Sequence, residues 1–117
     1  MKLTSTGLFD RLQQALAEEL IHTVKRELER ADAPSDLIKQ LSGSISFSVA
    51  SLIDDVAGFE KDGEEVSPIL TFLVGEEELE FAGGNSWMHE YIYDLLPSVF
   101  AEEVKQENQR GGSVADA

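Results

Sequence analysis

The sequence predicts an α+β domain with a long N-terminal helix, a short second helix, a three-stranded antiparallel meander and a C-terminal helix kinked near Pro97. Three observations carry that expectation. Leucines recur every four residues early in the chain, the middle alternates apolar and polar residues between turn signals, and an apolar, aromatic face returns after Gly83-Gly84.

The first helix spans Leu8 to Ala31. Leu8, Leu12, Leu16, Leu20, Val24 and Leu28 form a row that drifts by 40° per step at 100° per residue, so its apolar stripe winds around the axis. Phe9, Ala17, Ile21 and Ala31 widen it. Ser5 or Thr6 can cap its start, and Pro34 disfavours helical geometry at Ala33. Ser35 then caps a short helix, Asp36 to Leu41, closed by Ser42-Gly43.

Ile45, Phe47 and Val49 alternate with Ser44, Ser46 and Ser48, the period of a strand. Asp62-Gly63 is a hairpin turn signal, and Val66 to Val74 reads as the second strand. A two-residue Gly75-Glu76 turn leads into a third strand around Leu79 and Phe81. These turns set Ile53 opposite Phe72, Phe72 opposite Leu79 and Leu70 opposite Phe81. One sheet face then gathers Ile45, Phe47, Val49, Ile53, Leu70, Phe72, Val74, Leu79 and Phe81 for the core. Asn85 or Ser86 caps the last helix, whose apolar side is Trp87, Met88, Tyr91, Ile92, Leu95, Val99 and Phe100. Pro97 inside that pattern predicts a kink or break near Leu96. The domain is expected to cover 1–106 and a polar tail 107–117.

The chain has 117 residues, enough for one domain with its own core. It has no cysteine, which excludes disulfides, thiolate zinc sites and cysteine nucleophiles. No apolar run is long enough to span a bilayer and no leader is apparent, so a cytoplasmic protein is expected. The net charge of -14 disfavours nucleic acid and anionic membranes, which require cationic neutralisation. The charge is also unevenly placed. Residues 41–104 hold fourteen acidic side chains and one base, Lys61, whereas residues 1–40 are nearly balanced. Such a field favours a basic protein partner.

Few groups suggest chemistry. His22 has Glu18 one turn before it, but two ligands do not make a metal site. His89 and Tyr93 are one turn apart at the edge of the last apolar face and form the one candidate pocket pair. His89-Glu90 begins like a zinc-protease motif, but Tyr93 stands where the second histidine belongs. The Asp54–Glu65 stretch fails the calcium-loop pattern, since Gly58 and Ile69 would take its first and last positions. No metal, cofactor or catalytic set is expected. The expected function is partner binding through the acidic sheet region, of the kind inhibitors, immunity proteins, chaperones and DNA mimics perform. The expected contact residues are Leu52, Leu73, Glu76, Glu77, Glu78 and Glu80; the alternatives are self-association into a homo-oligomer such as a homodimer, and a small enzyme or ligand-binding domain with a pocket near His89 and Tyr93.

Overall fold

The computed structural model describes residues 1–101. Its elements are β1 (Lys2–Thr4), α1 (Phe9–Arg30), α2 (Ser35–Ile53), β2 (Phe59–Lys61), β3 (Glu64–Val66), β4 (Phe72–Val74) and β5 (Glu78–Glu80). A 3-10 turn at Met88–Tyr91 then opens α3, helical from 92 to 101. The class is α+β. The expected tail at 107–117, and the domain end at 106, fall outside the described residues.

α1 matches its predicted span to within a residue at each end. Its deepest line is not the leucine row but the neighbouring one: Phe9, Gln13, Ala17, Ile21 and Lys25 are buried, with the leucines half-buried beside them. The small Ala17 and Ile21 lie where the other helices approach. Neither Ser5 nor Thr6 caps the helix. Thr6 instead donates its N–H (3.0 Å) and its hydroxyl to the Glu80 carboxylate. At the other end Asp32 turns left-handed (φ 57), and the Ala33 N–H reaches back to the Leu28 carbonyl at 3.1 Å, closing the last turn.

The largest departure is α2. The Ser44–Val49 alternation is not a strand, because the helix begun at Ser35 continues to Ile53. The same serines that alternate with apolar residues also recur at helical spacing. Ser42, Gly43, Ser46 and Ala50 form a buried line of small residues that lets neighbouring helices come close. Burial on that line outweighs the strand preference of Ile45, Phe47 and Val49, which end up more than a third exposed. The core therefore joins helix to helix. Ala17 and Ile21 of α1, Ala50 of α2, and Met88, Ile92, Leu96 and Val99 pack together, with Ile53, Leu70 and Phe100 around them.

The three-stranded antiparallel meander is corrected to two small sheets. β2 and β3 form an antiparallel hairpin with Phe59 opposite Val66. Its two-residue turn, Asp62 (φ 53) and Gly63 (φ 81), is the predicted one, both residues taking the positive φ a tight hairpin turn needs. The other sheet has the order β1-β5-β4, with β1 parallel and β4 antiparallel to β5. Its turn holds three residues, 75–77, rather than two. Phe72 therefore pairs with Glu80, and Leu73 with Leu79. One added residue exchanges the faces. Leu3, Leu79 and Leu73 line up across the outer face, while Thr4, Glu80 and Phe72 turn inward, Phe72 meeting Phe9 edge-on at 5.3 Å.

α3 carries the predicted apolar side. The helical run is not interrupted at Leu96 or Pro97, contrary to the expected break; the departure from α geometry lies at its start, in the 3-10 turn.

Candidate functional site

The entry to α3 gathers polar groups around His89, one of the two residues the sequence suggested for chemistry. Asp54, the C-cap residue of α2, is buried and accepts three hydrogen bonds. The Ser86 hydroxyl donates to Oδ1 at 2.5 Å, and the His89 N–H and Nδ1–H donate to Oδ2 at 2.7 and 2.6 Å. The Asn85 amide donates to the Asp54 carbonyl at 3.1 Å. On the α1 side, the buried Gln13 accepts the Trp87 N–H at 2.9 Å. Side chains from two distant helices thus serve N–H groups at the 3-10 turn that no local residue caps.

This arrangement fixes the His89 ring through its Nδ1. A serine nucleophile would need to face a histidine nitrogen; here Ser86 bonds to the carboxylate instead. Phe47 of α2 lies across both candidate pocket residues, its ring centroid 5.8 Å from His89 and 5.6 Å from Tyr93. Tyr93 is half-exposed. The two residues flank the Phe47 ring.

A second polar cluster ties α1 to the same turn. The Tyr91 hydroxyl donates to Asp10 at 2.5 Å, the amides of Gln13 and Gln14 donate to the same carboxylate, and the Trp87 indole donates to the Tyr91 oxygen at 3.3 Å. The Tyr91 bond, then that of Gln13, holds Asp10 below its ordinary 3.8. The same Asp10 bond holds Tyr91 above 10.0. Asp10 therefore adds stability above the unfolded carboxylate range, lost as pH falls through its lowered folded value. Tyr91 adds stability below 10, lost as pH rises through its raised folded value. In Tyr91→Phe, the Asp10 carboxyl, followed by carbon-detected NMR, titrates closer to 3.8; an unmoved midpoint would contradict the assigned cause.

The concave surface lies elsewhere, where α2 runs into the β2–β3 hairpin. A cleft of about 430 Å³ is lined by Asp55, Val56, Ala57, Gly58, Phe59, Glu60, Glu65, Val66 and Ser67. Gly58 (φ 67) makes the turn that folds the hairpin back over Asp55. Val56, Phe59 and Val66 are exposed large apolar side chains, and Asp55, Glu60 and Glu65 stand among them. The only lysine of the hairpin, Lys61, pairs across from Glu64.

The predicted contact residues scatter. Leu52 is exposed on α2 and Leu73 on the outer sheet face, elements that do not pack together to any extent. Glu76 and Glu77 sit exposed in the three-residue turn and Glu78 beside them. Glu80 is withdrawn from the set: it is 2% exposed and holds Thr6, because the register shift turned it inward. Val56, Phe59 and Val66 were legible only as the three large apolar residues interrupting the acidic run 54–66, a signal easily read as a solvated hairpin tip.

His22 and Glu18 do approach, at 3.8 Å, with no further ligand. Among the described residues no group of three or more His, Asp or Glu could hold a metal ion, and no helix is long and apolar enough to cross a membrane. Comparison with family profiles, with curated proteins and with solved structures returns no match.

Proposed function

We propose that this chain is a binding module that takes a basic, amphipathic protein segment on the cleft between α2 and the β2–β3 hairpin. The observation that carries the reading is the composition of that cleft, where Val56, Phe59 and Val66 are exposed next to Asp55, Glu60 and Glu65. Phe59 and Val66, paired on one face of the hairpin, supply the apolar anchor, and Asp55 with the neighbouring pair Glu60 and Glu65 attracts lysine and arginine. The surrounding charge of -14 steers such a partner from a distance and repels acidic competitors. Acting without catalysis also suits the α3 entry, where Asp54, Ser86 and His89 satisfy one another. The binding surface proposed here is therefore the hairpin, in place of Leu52, Leu73 and the acidic run Glu76 to Glu80 expected from the sequence.

A synthetic helical peptide of leucines at every third or fourth position, separated by lysines and fluorescently labelled, tests this by anisotropy. Binding is expected to weaken with added salt. Phe59→Ser leaves the charge unchanged and is expected to weaken binding about tenfold, as loss of an aromatic anchor does. Equal binding by wild type and Phe59→Ser would reduce the interaction to nonspecific charge attraction and remove the cleft from it.

A further inference from the structure

Among the described residues α2 carries a second surface with little covering it, distinct from its buried small-residue line. At helical spacing Ile38, Leu41, Ile45, Val49 and Leu52 form one stripe about 80° wide. Ile45, Val49 and Leu52 on it are 38%, 36% and 56% exposed. α2 packs on α1, on the 3-10 turn and, through Gly43 and Phe47, on α3; Ile38 and Leu41 are half-buried, and the rest of the stripe stays exposed among the described residues.

Two features say what covers it. The first is charge: no ionisable residue occurs from Gln40 to Ile53, in a chain otherwise crowded with carboxylates. A basic partner finds no counter-charge there, whereas a second copy of this chain meets no like charge. The second is symmetry. The intervals along the stripe are three, four, four and three residues, so it reads alike from either end about Ile45. An isologous two-fold contact requires such self-complementarity.

We infer that the α2 stripe is the contact between two copies of this chain, paired antiparallel about a two-fold axis beside Ile45. Ile45 then meets the partner's Ile45, Leu41 meets the partner's Val49, and Ile38 meets the partner's Leu52. Charge selects this direction over the parallel one. Parallel pairing sets the two hairpins, each with Asp62, Glu60, Glu64 and Glu65 against one lysine, side by side. Antiparallel pairing sets each hairpin beside the partner's α1–α2 turn, where Arg30 and Lys39 balance the nearby acids. Ser44 and Ser48, small and exposed along the same helix, leave room for close approach. Both hairpin clefts remain open, at opposite ends of the pair. The inference stands independently of what those clefts bind.

The absence of cysteine makes the register directly testable. Full-length Ile45→Cys, oxidised at low protein concentration, is expected to cross-link to dimer in high yield, because a residue on the two-fold axis faces itself within disulfide reach. Ile38→Cys alone and Leu52→Cys alone are expected to cross-link poorly, and their mixture well. Sedimentation equilibrium of the wild type is expected to give a dimer, and Ile45→Glu a monomer with an unchanged circular dichroism spectrum. A wild-type monomer at every soluble concentration would overturn the inference, whether a later segment of the chain or nothing covers the stripe. So would equal cross-linking at all three positions.

Discussion

Asp54→Ala is expected to lower the unfolding free energy by about 4 kcal/mol, the largest effect of any single side-chain truncation outside the apolar core. Hydrogen bonds to a charged group contribute about 1.5–3 kcal/mol each, and Asp54 accepts three, which will not add fully. The alanine leaves the His89 N–H and the Ser86 hydroxyl without their acceptor. The carboxylate is also placed where two helix ends meet. At the C-terminus of α2 a negative charge is disfavoured by the helix dipole, and at the start of the 3-10 turn and α3 it is favoured. The three bonds to the second end decide its position. Asp54→Asn keeps an acceptor oxygen and is expected to lose about half as much. His89→Ala removes the Nδ1 bond and the ring contact with Phe47 but keeps the backbone and Ser86 bonds, and is expected to lose about 2 kcal/mol. Urea unfolding with an unchanged slope checks all three. Equal losses for Asp54→Ala and His89→Ala would show that the backbone and Ser86 bonds contribute nothing.

Gly43→Leu is expected to cost about 3 kcal/mol, at the upper end of overpacking penalties. A Cβ at Gly43 stands 3.0 Å from both the Leu96 Cδ2 and the Tyr93 Cε1 atoms, closer than carbon atoms pack. The first methyl can be accommodated by a small shift of Tyr93, which is half-exposed. An alanine there also gains helix propensity of up to about 1 kcal/mol, so Gly43→Ala is expected to lie within about 1 kcal/mol of wild type. A leucine has no such recourse, since its remaining atoms enter the space of Leu96 in the core. Thermal unfolding separates the two variants. A leucine as well tolerated as alanine would mean that α2 and α3 do not pack as closely as the structure places them.

How legible was this architecture? α1 and the Asp62-Gly63 hairpin turn are local: one is written in a four-residue apolar period, the other in two residues that accept positive φ. α2 was misread because its serines satisfy two periods at once. Alternation with Ile45, Phe47 and Val49 imitates a strand, while Ser42, Ser46 and Ala50 spell a helix whose buried side is small rather than apolar. Only the helices packed against it choose between the two. The sheet register failed by a single residue in the Gly75 turn, and that alone moved Glu80 from an expected contact surface to a buried anchor for Thr6. The α3 entry was illegible for a different reason. Its caps, Gln13 and Asp54, come from α1 and α2, far away in sequence, and no local pattern encodes them. The candidate surface was half legible. Its charge could be counted, but the placement of Val56, Phe59 and Val66 around one cleft depends on how the hairpin folds against the end of α2.

Three acidic surfaces compete for a basic partner: the hairpin cleft, the Glu76-Glu77 turn beside the outer row Leu3, Leu79 and Leu73, and the half-exposed edge of α3 at Tyr93. Backbone amide shifts of the isotope-labelled full chain, recorded as the leucine–lysine peptide is added, separate them in one titration. The account predicts the largest changes between Asp55 and Ser67, reaching saturation together and requiring about tenfold more peptide in Phe59→Ser. Changes centred on Leu73 to Leu79 or on His89 and Tyr93, or spread evenly over every acidic segment, would contradict it.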